Sequence, residues 1–183
     1  IEVVEREEVV RTARLLVMEV TFLDERVSVA ECRAKGNVHL DELAERAAEA
    51  ERLGATEVTL QGGIHPDYTG QTYLHILHTV HAAAPGMHVH AFSPLEVRQG
   101  AQTLGLSVDA FLRRLKEAGL GTLPGTAAEI LDDEVRRELC ADKLNTAQWL
   151  EVMEGAHAAG LRTTATIMYG HIDQPIHWAR HLL

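Results

Sequence analysis

The sequence predicts an α/β fold, a run of parallel strands with helices outside that makes up part of a TIM-type (β/α) barrel, incomplete at both ends. Three observations carry this. Helix-stopping glycines recur at Gly54, Gly86, Gly119 and Gly160, separated by 32, 33 and 41 residues. Each is followed within two residues by a short apolar run of strand type, and each run leads into glycine or proline. Such a βα repeat gives parallel strands with right-handed crossovers. Finally, a complete eight-fold barrel takes about 250 residues, whereas this chain has 183 and four clear strands.

Taken in order, residues 1–20 place Val4, Val9, Val10, Ala13, Leu16 and Val17 at helical spacing, which predicts a helix. Thr21 to Asn37 has mixed periodicity, with room for one more strand near Val17–Leu23 or Val27–Ala30. From Leu40 an amphipathic helix runs through Leu43, Ala44, Ala47, Ala48 and Leu53, with Gly54 just past its end. A strand comes next over Ala55–Gln61, then a helix over Gln71–Ala84, closed by Pro85-Gly86. The next strand is Met87–Phe92, and Pro94 beyond it suits the first turn of a helix. Ser107 is predicted to cap a helix through Phe111, Leu112 and Leu115. A strand over Leu120–Leu123 leads into Pro124-Gly125-Thr126, then a short helix with an acidic turn at Asp132-Asp133. Thr146 is predicted to cap the helix holding Trp149, Leu150, Val152 and Ala156, and the last strand is Leu161–Met168. Leu183 falls in the body of a further helix. The repeat therefore covers 38–183, with 1–37 as a separate, divergent segment.

A net charge of -10 argues against a general binder of nucleic acid or anionic membrane. No apolar run approaches the roughly 20 residues that span a bilayer. No signal-peptide pattern is visible, although the chain starts at Ile1. Two distant cysteines, Cys32 and Cys140, fit a reducing cytosol and no disulfide framework. A cytoplasmic protein is expected.

In βα repeats, chemistry gathers at the C-terminal ends of the strands. Four sets of residues should meet there: Gln61-Gly62-Gly63-Ile64-His65, His90-Ala91-Phe92-Ser93, Pro124 to Glu129, and Tyr169-Gly170-His171-Ile172-Asp173. Paired glycines let a ligand approach the backbone, and amides at helix starts favour anionic groups. The same glycines also suit an empty strand-to-helix turn. Gln61, Thr126 and Glu129 offer hydrogen-bond partners for a zwitterion. His65 and His171 could carry protons in acid–base chemistry, or serve as structural hydrogen-bonding groups. His88 and His90, two apart on a strand, share one side and could face a metal, as in barrel hydrolases. Equally, one could stand at the rim and the other in a buried layer. No carboxylate or lysine spacing completes a metal set. Cys140 reads as an ordinary small apolar residue.

The runs Gln61–Gly70, His88–Val97, Gly119–Leu131 and Thr163–Asp173 resemble the radical S-adenosylmethionine enzymes that make the deazaflavin chromophore FO. The match is to the half that joins tyrosine to 5-amino-6-(D-ribitylamino)uracil, as a separate subunit or as the C-terminal half of a bifunctional FO synthase. It covers Leu40 to Leu183, in several long motifs in the right order. The resemblance implies a radical SAM barrel and a [4Fe–4S] cluster that cleaves S-adenosylmethionine to a 5′-deoxyadenosyl radical. That radical would attack tyrosine, whose side chain would fragment and add as a 4-hydroxybenzyl group to the uracil. By resemblance, Gly62, Gly63, Thr126, Glu129, Tyr169, Gly170 and His171 would contact S-adenosylmethionine. Gln61, His65, His90 and Ser93 would face tyrosine or the uracil. A partner subunit or domain would complete FO synthesis.

The family holds its cluster with a CxxxCxxC motif before the helix equivalent to Leu40–Leu53, since three thiolates bind three of the four irons. Here the stretch Val27 to Asn37 contains only Cys32, as a remnant ligand or a chance cysteine. The first 37 residues do not match the family. A truncated or frame-shifted gene, or loss of the cluster, accounts for this. Either way the 183-residue chain is expected not to catalyse the reaction unaided. The alternatives are a non-catalytic remnant of the barrel and a mononuclear metal hydrolase using His88 and His90.

Overall fold

Among the described residues, five parallel strands follow one another in the order β1-β2-β3-β4-β5, so each crossover joins sheet neighbours. The computed structural model describes residues 15–19, 28, 30, 39–62, 64, 65 and 67–183. Strand β1 is Leu15–Glu19, β2 Glu57–Gln61, β3 His88–Ala91, β4 Thr122–Leu123 and β5 Arg162–Thr163. Leu15 to Glu19 lie opposite Glu57 to Gln61, Glu57 to Leu60 opposite His88 to Ala91, His90 opposite Thr122, and Thr122 opposite Arg162.

Helix α1 (Leu40–Arg52) precedes β2, and α2 (Gly70–Ala83) links β2 to β3. Helices α3 (Pro94–Thr103) and α4 (Val108–Glu117) lie between β3 and β4. Helices α5 (Asp133–Leu139) and α6 (Thr146–Ala158) lie between β4 and β5, and α7 (Pro175–Leu182) comes after β5.

Alternation along the strands divides the sheet into two faces. Val58, Leu60, Val89, Ala91 and Leu123 are buried in one core with Leu43 and Ala47 of α1, Leu77 and Val80 of α2, Phe111, Leu112 and Leu115 of α4, and Val152 and Ala156 of α6. Each of the valine, leucine and phenylalanine side chains among them contributes about 1.5–3 kcal/mol by leaving water. The alternate positions, Glu57, Thr59, Gln61, His88, His90 and Thr122, are polar and half-buried on the other face. A parallel sheet with helices packed on its apolar face is the α/β architecture of part of a barrel.

Three predicted helix stops hold. Gly54, Gly119 and Gly160 follow their helices with φ of 93°, 104° and 75°, angles that favour glycine. Gly86 works differently: its amide donates to the Glu51 carboxylate of α1 at 2.9 Å, after α2 has already ended.

Three expectations need correction. Within the helix predicted over residues 1–20, Leu15–Glu19 is a strand. Its run Leu-Leu-Val-Met suits a sheet, and pairing along all of β2 overrides the helical spacing. The remainder of that predicted helix lies outside the described residues. Second, Asn145 rather than Thr146 caps α6: its Oδ1 accepts from the Gln148 amide at 2.8 Å, while the Thr146 hydroxyl donates to Asp133 at 2.7 Å. Third, the strand predicted over Leu161–Met168 shrinks to Arg162–Thr163. Beyond it one more backbone bond runs from the Thr164 amide to the Leu123 carbonyl at 3.1 Å, and side chains then take over. The Thr164 hydroxyl accepts from the Gly125 amide at 3.0 Å, and the Thr166 hydroxyl donates to the Gly125 carbonyl at 2.8 Å.

Candidate ligand-binding site at the strand ends

The ends of β2, β3 and β4 lie side by side because the strands are parallel and in register. The segment after β5 joins them where the Met168 amide donates to the Glu129 carbonyl at 2.9 Å. Three non-glycine residues there take left-handed angles: Phe92 (φ 68°), Ala127 (57°) and Glu129 (47°). Such strain persists only where surroundings impose it, and it concentrates at functional sites. Of the predicted residues, Gly63 and Cys32 lie outside the described residues.

The loop after β4 is imposed by a buried arginine. Arg136 of α5 donates through Nε to the Leu144 carbonyl at 2.8 Å, and through its terminal nitrogens to the carbonyls of Ala127, Ala128, Ile130 and Leu144. Trp149 Nε1 of α6 donates to the Thr126 carbonyl at 3.0 Å. With its backbone so held, Thr126 turns a hydroxyl that is buried and without a hydrogen-bond partner among the described residues. An orphaned buried hydroxyl is costly and calls for a ligand or water. Glu129, three residues on, is half-buried and paired with Lys143 at 2.6 Å.

Several amides expected to hold a ligand are occupied by the protein's own carboxylates. Gly62 N donates to Glu96 Oε1 at 3.0 Å. The other oxygen of Glu96 accepts from the Ser93 amide and hydroxyl, each at 2.7 Å, so Ser93 is turned into the α3 capping box. The Gly170 and His171 amides both donate to Asp173 Oδ1 at 2.9 Å, and Trp178 Nε1 donates to its other oxygen. Burial raises the Asp173 pKa, but these hydrogen bonds outweigh it and hold the carboxyl at about 2. His171 accepts at Nδ1 from the Ile172 amide and reaches the Met168 carbonyl through Nε2, both at 2.9 Å. Tyr169 is exposed, in edge contact with Trp178 at 5.7 Å.

His65 also has a local role, accepting from the Asp67 amide at 3.2 Å and lying 4.9 Å from the Tyr68 ring. Gln61 ends β2 on the polar face. His90 stands one position before the last residue of β3, its Nδ1 2.7 Å from Thr122 Oγ1; His88 Nε2 lies 2.9 Å from the same oxygen. The two imidazoles do share one side, as their spacing predicts, and a threonine joins them. The grouping of three potential metal ligands among the described residues lies elsewhere, at Asp132, Glu134 and His177. Arg180 already occupies it, 3.0 Å from Asp132 and 3.6 Å from Glu134.

Sequence reasoning assigns no role to Glu96, Arg136 or Asp173. The Ser-x-x-Glu spacing at Ser93–Glu96 is a capping-box signal that could have found the first. Asp173 lies within a rim motif. Nothing in the pattern around Arg136 marks it as buried.

Comparison with known proteins adds three findings. The family model described as "Radical SAM superfamily" matches residues 27–183. The chain is 57% identical over 143 residues to an FO synthase of Streptomyces coelicolor, covering 78% of this chain and 16% of that protein. It is 49% identical over 146 residues to the 5-amino-6-(D-ribitylamino)uracil–L-tyrosine 4-hydroxyphenyl transferase of Methanocaldococcus jannaschii, covering 78% and 41%. This chain thus spans less than half the length of either relative.

Proposed function

We propose, for a chain that belongs to the radical SAM superfamily, that it is the ligand-binding section of a transferase of FO biosynthesis. The reaction is transfer of the 4-hydroxybenzyl group of tyrosine to 5-amino-6-(D-ribitylamino)uracil. The observation that supports this most is the 49% identity to the Methanocaldococcus jannaschii transferase, which extends over 78% of this chain. In this reading Thr126 offers S-adenosylmethionine its orphaned hydroxyl. Gly62 offers its carbonyl, since its amide is bound to Glu96. Gly63, Glu129, Tyr169, Gly170 and His171 complete that side, and Gln61, His65, His90 and Ser93 face tyrosine and the uracil. The protein works in the cytoplasm with a partner subunit or domain. No helix among the described residues is long and apolar enough to cross a membrane.

The cluster that the family implies does not fit these residues. A [4Fe–4S] cluster with one open iron needs three thiolates. The chain has two cysteines, and Cys140 is buried at the end of α5. No chemical step is therefore assigned to this chain alone; its part is to bind and orient.

Calorimetric titration with 5-amino-6-(D-ribitylamino)uracil tests the reading. Saturable binding in the micromolar range is expected. A chain that takes up neither the uracil nor S-adenosylmethionine is instead a non-catalytic remnant of the barrel.

A further inference from the structure

Four polar side chains on the polar face of the sheet form a continuous chain. Glu57 lies opposite His88, and His90 opposite Thr122. Thr122 Oγ1 is 2.9 Å from His88 Nε2 and 2.7 Å from His90 Nδ1. Glu57 Oε2 lies 3.7 Å from the same His88 nitrogen. A threonine hydroxyl has one proton and cannot donate to both rings. The carboxylate of Glu57 decides the direction, because a lone pair on His88 Nε2 would face a negative charge. His88 Nε2–H then donates to Thr122, and the hydroxyl proton, which has no other acceptor among the described residues, goes to His90 Nδ1. His90 keeps its own proton on Nε2. Gly121 makes room for this: a Cβ there would lie 2.4 Å from the His88 ring.

From this geometry we infer that His90 is a fixed-tautomer donor whose Nε2–H receives a carbonyl oxygen of a bound uracil ring, with Thr122, His88 and Glu57 as its positioning residues. The identity of the ligand rests on the function proposed above; the tautomer does not. His90 Nε2 has no hydrogen-bond partner among the described residues. Burial lowers the His90 pKa against the opposing pull of Glu57, and His88 lowers it further, so the ring is neutral at neutral pH. A neutral donor in a network containing the Glu57 anion suits an uncharged carbonyl better than the carboxylate of tyrosine.

Heteronuclear NMR of the histidine side chains tests this on the chain as it stands. The expected spectrum has His90 protonated at Nε2 and bare at Nδ1. Thr122→Val gives mixed tautomers and Thr122→Ser restores the single one. Adding 5-amino-6-(D-ribitylamino)uracil shifts the His90 Nε2 resonance, tyrosine does not, and His90→Ala weakens uracil binding about tenfold. A proton on Nδ1 in the unaltered chain overturns the inference, as does a uracil that binds without moving His90 Nε2. If the tautomer is as expected but the uracil does not bind, the proposed function falls, and the ligand assigned here with it.

Discussion

The carboxylate of Glu96 accepts the amide of Gly62 at 3.0 Å across 34 residues of sequence. It ties the glycine turn after β2 to the start of α3, and with 1% exposure it does so in the core. Glu96→Gln sets an NH2 group against either the Gly62 donor or the Ser93 donors. Since hydrogen bonds to a charged group are worth ~1.5–3 kcal/mol each, a loss of about 3 kcal/mol is expected. Urea denaturation checks it; a loss below about 1 kcal/mol contradicts this role for Glu96.

Thr126→Val is expected to separate folding from binding. The hydroxyl it removes is buried and unpartnered among the described residues, so an isosteric methyl costs nothing or stabilises slightly. Affinity for S-adenosylmethionine, read by titration, should fall about tenfold. Equal affinity in the two proteins removes Thr126 from the site.

Gly125→Ala brings a methyl to 1.9 Å from the Thr164 carbonyl oxygen, a backbone atom that cannot swing away. The β4–β5 junction must open, at a cost of about 1–3 kcal/mol. Thermal melting gives the size of the loss. Faster amide exchange at Gly125 and Thr164 locates it; unchanged exchange at both contradicts the packing described.

Acid should loosen α7 from the loop after β4. The Leu131 amide donates to His181 Nδ1 at 2.9 Å, which requires an unprotonated ring nitrogen. Burial, and after it Arg136, lowers the His181 pKa below its ordinary 6.5. The unfolded chain therefore binds more protons between the folded pKa and 6.5. This contribution is whole above that window and falls as pH drops through it, and His90 adds in the same sense. Amide exchange at Leu131 should accelerate on going from about pH 7.5 to about pH 5. Exchange there that ignores pH beyond the intrinsic chemical rate would contradict this.

The repeat of glycines, apolar runs and strand-end motifs made the parallel sheet legible, because each signal is local. Where tertiary contacts decide, local spacing failed. Leu15–Glu19 carries a helical pattern but pairs with β2, and the last strand ends at Thr163, past which the Thr164 and Thr166 hydroxyls bind the backbone of Gly125. The strand-end residues Thr126, Glu129 and Gly62 were legible as polar or turn positions. Their occupants were not: Lys143 for Glu129 and Glu96 for Gly62 come from elements apart in sequence. Arg136 was invisible for the same reason, since its burial depends on four carbonyls brought together only by folding.

We propose that this chain carries the binding face of an FO-type transferase and, with two cysteines, lacks the three thiolates that hold a cluster. Anaerobic reconstitution with iron and sulfide, followed by iron analysis and absorption spectroscopy, tests it most directly. No four-iron absorption band and no stoichiometric iron are expected. A stable four-iron cluster on this chain, releasing 5′-deoxyadenosine from S-adenosylmethionine on reduction, would contradict it.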